Sequence, residues 1–188
     1  MLTFYFIRHG QKEAVPFDPP LTKIGVKQAE LTAGYLKTIP FKAIVASQKT
    51  RVQQTTQIIA KQLKLSISVD ERLQERLEWE NDVSFEKFME EWNKTDIDRT
   101  YQPKRGKSSS DNGKQMKEII DEMSNTYKEG NVLVVTHGGS IGDLLRCLFT
   151  EEAITYKLSR CREQSILIFL NVRLQLFKKA KTIINYLN

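Results

Sequence analysis

Val132-Leu133-Val134-Val135-Thr136-His137-Gly138-Gly139 is the stretch that decides the fold. Its first five residues are apolar or β-branched with no polar alternation, so they read as a strand buried on both faces, the signature of a parallel sheet. A histidine and two glycines follow at once. The N-terminus repeats the arrangement, with Leu2-Thr3-Phe4-Tyr5-Phe6-Ile7 leading into Arg8-His9-Gly10. After a loop with Pro16, Pro19 and Pro20, Thr22 is a candidate N-cap for a helix carrying Ile24, Ala29, Ala33 and Leu36, stopped before Pro40. Ala43-Ile44-Val45-Ala46 is a second buried strand. Val52, Thr55, Ile59 and Leu63 lie at helical spacing, and Leu65 to Val69 alternates as a third strand. This βαβ rhythm predicts an α/β fold, a three-layer α/β/α sandwich with a mainly parallel central sheet.

The rhythm breaks after Asp70. A charged stretch follows with a predicted helix from Ser84 to Lys94, its Phe85, Phe88, Met89 and Trp92 on one face as the core of a cap, and then a polar run, Lys104 to Gly113, that reads as a mobile loop. Residues of about 71–110 are therefore expected to form a small helical cap inserted into a single domain spanning 1–188. Asp111 is the candidate cap of a helix bearing Met116, Ile119, Ile120, Met123 and Tyr127 and ending at Gly130, and Ser140 to Phe149 is a further helix. Ile166 to Leu170 and Leu174 to Phe177 are the last expected strands.

The chain of 188 residues carries 29 Lys plus Arg against 23 Asp plus Glu, a net charge of +6. Such a balance admits nucleic acid, an anionic membrane or a small phosphorylated molecule as partner. The basic clusters, Arg99 to Lys107 and Lys178 to Lys181, lack the aromatic interleaving of a nucleic-acid surface and read as a solvated loop and strand end. No run approaches the roughly 20 apolar residues of a spanning helix. The expectation is no nucleic acid, no membrane and a cytoplasmic location, with a homodimer permitted. Cys147 and Cys161 form no C-x-x-C and read as reduced, structural thiols.

His9 and His137 are the only histidines, and each directly follows an apolar strand and precedes glycine. Ligands of open α/β sheets collect at the carboxyl ends of the strands, which is where both imidazoles fall. The strand Ala43–Ala46 leads through Ser47 to a helix start bearing Arg51, so this guanidinium and Arg8 can converge on the same crevice. Two arginines beside two imidazoles suit a phosphoryl group, whose transfer is catalysed mainly by charge stabilisation. The arginines also disfavour imidazolium, which leaves a histidine nitrogen free to attack. A proton donor for the leaving oxygen is still required, and Glu71 and Glu75, the first carboxylates after the third strand, are equally placed by sequence.

These residues carry a family resemblance. Phe6-Ile7-Arg8-His9-Gly10-Gln11 resembles the Arg-His-Gly signature of the histidine phosphatase (phosphoglycerate-mutase-like) superfamily. Further blocks are similar in the family's order: Leu21-Thr22 with Gly25 and Gln28-Ala29, Ser47 with Arg51 and Gln54-Thr55, Arg72-Leu73-Gln74-Glu75-Arg76, and Val135-Thr136-His137-Gly138-Gly139. The resemblance spans about Thr3 to Leu148. It implies that His9 is a nucleophile forming phosphohistidine, that Arg8, Arg51 and His137 grip the phosphoryl oxygens, and that Glu75 is the proton donor. It also implies that Gln11 and Thr22 line the pocket, that Gly138 brings backbone close to it, and that neither metal nor other cofactor takes part. Where many members continue with Glu-Thr, this chain has Lys12-Glu13-Ala14, and the late Gly-Glu-Ser pattern is reduced to Gly106-Lys107-Ser108. The short insertion lacks the extended basic segment of mutases, so the branch implied is phosphatase.

Other readings fare worse. Gly138-Gly139-Ser140-Ile141-Gly142 matches a hydrolase nucleophile elbow, but that fold needs a later histidine and none follows, so Ser140 is assigned as a helix N-cap. Arg105-Gly106-Lys107-Ser108 lacks the first glycine and the preceding strand of a phosphate-binding loop. The histidines and cysteines offer no zinc spacing. A phosphoglycerate-mutase-type phosphoryl transferase, or a catalytically silent phosphate-binding or regulatory module on the same fold, are the alternatives to a phosphomonoester hydrolase.

Overall fold

Successive side chains of a strand point to opposite faces, and in Leu2–Arg8 (β1) this alternation separates two cores. Leu2, Phe4 and Phe6 enter one, while Tyr5 and Ile7 pack into the other. The computed structural model describes residues 1–149 and the backbone of 167–172 and 180–183. β1 lies beside Gly130–Thr136 (β4), followed outward by Phe41–Ala46 (β2) and Ile67–Val69 (β3), all four parallel. On its other side β1 pairs antiparallel with Leu167–Val172 (β5), and β5 with Ala180–Ile183 (β6). The sheet is thus mainly parallel, as expected. The predicted strand Ile166–Leu170 falls on β5, whereas Leu174–Phe177, Lys178 and Cys161 lie outside the described residues; Cys147 is a free thiol.

Lys23–Leu36 (α1) and Thr50–Leu63 (α2) cover one face, over Ile44, Ala46, Leu133 and Val135. Ser109–Thr126 (α4) and Gly138–Leu148 (α5) cover the other, over Phe4, Phe6, Val132 and Val134. That is the three-layer sandwich read from the sequence. Its details depart at several points. Thr22 caps α1 through Gly25 N–H (3.0 Å), but the buried stripe is Gly25, Ala29, Ala33 and Leu36, and Ile24 is 60% exposed. The stripe advances by three or four residues, which excludes 24 once 25 and 29 face inward. The loop expected over Lys104–Gly113 ends early, because Ser108, not Asp111, caps α4 by accepting from Asp111 N–H (3.0 Å). Asp111 sits in the first turn, where its charge opposes the helix dipole favourably. Arg99 and Lys107 are not merely solvated: Arg99 donates to Ser109 Oγ and the Arg146 carbonyl, and Lys107 to Gln115.

The segment after β3 begins with a 3-10 turn, Glu71–Leu73, and then runs to Phe85–Ile97 (α3). α3 buries only Thr95, and Phe85 is 50% exposed, so the aromatic stripe is not a cap core of the expected kind. It is a chain of ring contacts, edge-to-face between Trp79 and Phe85 and tilted from Phe85 to Phe88 to Trp92, whose last ring receives the Arg76 guanidinium at 3.9 Å. Arg76 is 2% exposed and fastens this segment to the helices beneath. It donates to both oxygens of Asp143 on α5 (2.9 and 3.1 Å), to Asp96 (2.6 Å) and to Thr95 Oγ1 (3.0 Å). Ser109 and Asn112 of α4 complete the shell of Asp143 at 2.7 and 3.0 Å. Removing one partner of a buried pair leaves the other charge uncompensated. Asp143→Asn is therefore expected to lower unfolding free energy by about 3–5 kcal/mol in urea titration; a loss within about 0.5 kcal/mol, the usual surface effect, would contradict this account. Among the described residues, no helix is long and apolar enough to cross a membrane.

Candidate active site

Register places the histidines. β1 and β4 pair in parallel with Arg8 opposite Thr136, so His9 and His137 are the next residues on adjacent strands. His9 N–H donates to the Thr136 carbonyl (3.1 Å), and Ser47 N–H, at the end of β2, donates to Val135 (3.1 Å). The two rings meet edge-to-face with centroids 5.3 Å apart. All three strand ends thus deliver a polar group to one crevice.

Hydrogen bonds fix the tautomers, since the neutral ring has one donor and one acceptor nitrogen. His9 Nδ1 lies 2.7 Å from the Gly10 carbonyl, an acceptor only, so Nδ1 carries the proton and Nε2 the lone pair. Arg51 Nε–H faces that lone pair at 3.3 Å. In His137 the assignment reverses: Arg51 Nη2 donates to Nδ1 (3.2 Å), and Nε2–H donates to Ser47 Oγ (3.1 Å). Burial, opposed by the Gly10 hydrogen bond and aided by Arg51, Arg8 and Lys12, lowers the His9 pKa to about 3. Burial and Arg51 likewise hold His137 well below the usual imidazole range. The sequence attributed the neutrality of the rings to the arginines; desolvation is the larger cause.

Arg51 enters from the first turn of α2, 2% exposed. It contacts Asp18 (3.4 Å) and both oxygens of Glu78 (3.0 and 3.1 Å) besides the histidines. Asp18 also stands in for the missing cap of α2, accepting from Thr50 N–H (3.0 Å) and Oγ1 (2.8 Å). Arg8 leaves the end of β1 along Gly138, where an added Cβ would meet its Cδ and Nε at 3.2 Å. Among the described residues, Arg8 has no hydrogen-bond or ion-pair partner, and its charge remains for a ligand. Lys12 joins this group: burial, Arg51 and Arg8 lower its pKa, with Glu78 acting oppositely. The pattern Lys12-Glu13-Ala14 gave no hint of it.

Glu71 and Glu75 differ in place. Glu71 opens the 3-10 turn and is exposed. Glu75 lies over the start of α5, its carboxylate accepting from Gly139 N–H (3.1 Å), Arg76 N–H (3.2 Å) and Ser140 Oγ (3.3 Å). The loop bearing it is pinned by Thr136 Oγ1 to Leu73 O (2.5 Å) and by Ser140 Oγ to Gln74 O (2.9 Å). Ser140 is accordingly no N-cap; α5 starts at Gly138 with His137 as cap, and the Ser140 hydroxyl orients the Glu75 loop. Desolvation first, then Asp143, raises the Glu75 pKa to about 7, Arg76 and the Gly139 N–H opposing and Glu78 assisting.

Gly139 makes this approach possible. A Cβ there would stand 2.4 Å from Glu75 Oε1 and 2.7 Å from the Trp92 ring. Gly139→Ala is expected to displace the Glu75 carboxylate and cut turnover of alkyl phosphates about a hundredfold or more, the usual worth of a positioned acid, while sparing aryl phosphates with good leaving groups. Equal loss on both substrates in steady-state assays would refute displacement of the acid as the cause.

Gln11 and Thr22 were expected to line the pocket. They bond one another, Thr22 Oγ1 donating to Gln11 Oε1 at 2.8 Å and Thr22 N–H to Gln11 O at 2.9 Å. The loop after β1 is held by residues that the sequence suggested only through family blocks. Gln28 Oε1 takes Gln11 N–H (2.7 Å), Gln54 Oε1 takes Leu21 N–H (2.7 Å), and Thr55 Oγ1 takes Gly10 N–H (3.1 Å). Gly10 and Gly25 let the two backbones touch, a Cβ at Gly10 falling 2.4 Å from Gly25 O.

Comparison with known proteins gives the family of the chain. Residues 4–170 match the family model described as histidine phosphatase superfamily (branch 1). A relative from Yersinia pestis (strain Pestoides F), named "Probable phosphoglycerate mutase GpmB", is 30% identical over 179 residues, covering 88% of this chain and 83% of its own. The chain belongs to the histidine phosphatase superfamily. Among solved structures, mycobacterial glucosyl-3-phosphoglycerate phosphatase with inorganic phosphate superposes with a TM-score of 0.76, at 19% identity, over 97% of this chain and 95% of that one. Bacillus stearothermophilus YhfR gives 0.72 at 21% identity over 95% of each chain. A phosphoserine phosphatase from Entamoeba histolytica gives 0.69 at 20% identity over 90% of each.

Proposed function

We propose that the chain is a phosphomonoester hydrolase acting on a small phosphorylated metabolite through a covalent phosphohistidine at His9. The observation that carries this reading is the His9 tautomer: Nδ1–H is spent on Gly10 O, and the free lone pair on Nε2 faces the Arg51 and His137 group. Nε2 attacks phosphorus as the P–O bond to the alcohol breaks, and protonated Glu75 gives its proton to the departing oxygen. Water then attacks the phosphohistidine while ionised Glu75 takes its proton, releasing inorganic phosphate and restoring both side chains. Arg8 and Arg51 hold the phosphoryl oxygens as charge builds, with a Gly138 that lets Arg8 lie close, and His137 orients Arg51 by accepting from its Nη2. No metal or other cofactor is needed for these steps. Gln11 and Thr22 act as loop supports bordering the pocket.

Hydrolysis, rather than transfer to a second substrate hydroxyl, is supported by where the basic residues of the 71–110 segment go. Arg99 is engaged by Ser109 and Arg146 where it is half-buried, and Arg105 by Asp82 at 2.7 Å on the exposed surface. The test is acid-quenched mixing with an aryl phosphate and a panel of phosphorylated metabolites, in chelator, following inorganic phosphate and acid-labile, base-stable phosphate on the protein. Inorganic phosphate released in step with alcohol supports the hydrolase. Phosphate conserved on a second organic acceptor would establish a transferase, and neither turnover nor label across the panel would establish a silent binding module.

A further inference from the structure

Arg51 has five N–H donors, and its neighbours take four. Nε–H faces His9 Nε2 (3.3 Å), Nη2 reaches His137 Nδ1 (3.2 Å) and both Glu78 oxygens (3.0 and 3.1 Å), and Nη1 reaches Asp18 (3.4 Å). The two carboxylates are not equivalent. Asp18 is fixed by its capping of Thr50, through the backbone N–H at 3.0 and 3.1 Å and Oγ1 at 2.8 Å. Among the described residues, Glu78 is held only by Arg51 and, at 3.7 Å, by Lys49, on a loop between the 3-10 turn and α3. A phosphoryl group bonded to His9 Nε2 lies against the Arg51 edge that carries Nε and Nη2, the edge Glu78 already engages. Two anions then compete for one guanidinium, and a bidentate grip on phosphate requires Glu78 to leave.

We propose that Glu78 is a competing ligand of Arg51 that weakens the hold on the phosphoryl group and drives release of inorganic phosphate after hydrolysis. The inference rests on Arg51 being the phosphoryl-binding cation. It assigns a role to a residue outside the family blocks quoted from the sequence and suits a hydrolase, which must empty its site each cycle. Substrate recognition is then biased toward contacts with the rest of the molecule, since the phosphate itself is held below the full strength of its cations.

Phosphate and orthovanadate binding to wild type, Glu78→Gln, Glu78→Ala and Glu80→Gln would be measured by calorimetry, with thermal unfolding as a check on folding. Both Glu78 variants are expected to bind phosphate about tenfold tighter or more, the scale of one lost charge repulsion at this distance. Product inhibition should strengthen by the same factor, and Glu80→Gln, which is not among the Arg51 partners, should match wild type. Unchanged or weaker binding by folded Glu78 variants, in an enzyme that still forms phosphohistidine, would overturn the role of Glu78 alone. Failure of all four proteins to bind phosphate would overturn the phosphate site and this inference with it.

Discussion

His9→Ala is expected to lose at least about a thousandfold in kcat on every phosphomonoester while keeping its fold and its affinity for phosphate. The magnitude follows from removal of the nucleophile, without which the site can only hold substrate for a water it was not built to orient. Retained binding follows from the geometry, because Arg8, Arg51 and His137 each reach the crevice independently of the His9 ring. Stability should survive as well: the side chain makes one hydrogen bond to its own neighbour, one weak contact to Arg51 and one ring contact with His137. Rapid-quench and calorimetric measurements on the same protein separate these statements. A variant that binds phosphate but retains more than about a tenth of wild-type turnover would remove His9 from the reaction.

The second large effect concerns Glu75→Gln, and its signature is in the pH profile. With a pKa raised to about 7, Glu75 is mostly protonated below that value and loses the proton needed for the leaving oxygen as pH rises through it. His9, lowered to about 3, remains a neutral nucleophile throughout this range. Wild-type kcat/KM on alkyl phosphates should therefore fall above about pH 7. In Glu75→Gln the rate should drop about 10²- to 10⁴-fold and the fall near pH 7 should disappear. Activated aryl phosphates should be hurt far less, since their leaving oxygens need little protonation. An unchanged alkaline fall in the variant would assign it to another group.

The parts legible in the sequence were those written in a single segment. Val132–Thr136 is apolar on both faces because helices cover both, so its burial shows directly in composition. His9 and His137 were legible because each is a polar residue forced to the mouth by an apolar strand. What could not be read were relations between segments. Local charge and spacing do not distinguish Glu75 from Glu71, and only the resemblance of the 72–76 block pointed to Glu75; the physical difference arises where the loop docks on Gly139, 64 residues later. Arg76 and Asp143 are separated by 67 residues, and their pairing needs α4, α5 and the 71–110 segment all in place. Lys12 and Glu78 carry no pattern of their own in the sequence, and Arg51 makes them part of a site. Two cap positions failed for a smaller reason: Ser108 and Asp111, like His137 and Ser140, compete within one turn, and the structure chooses the earlier residue each time.

The in-register pairing of β1 with β4 has a kinetic consequence. His9 and His137 become neighbours only when strands more than 120 residues apart have joined at the centre of the sheet, and non-local parallel pairing is slow to form. A growing chain that has not yet emitted β4 carries His9 and Arg51 but lacks the His137 that holds Arg51 from the other side. Return of turnover after dilution from denaturant would thus time the closure of the sheet's middle, later than recovery of helix signal, and the reaction itself would serve as a clock for folding.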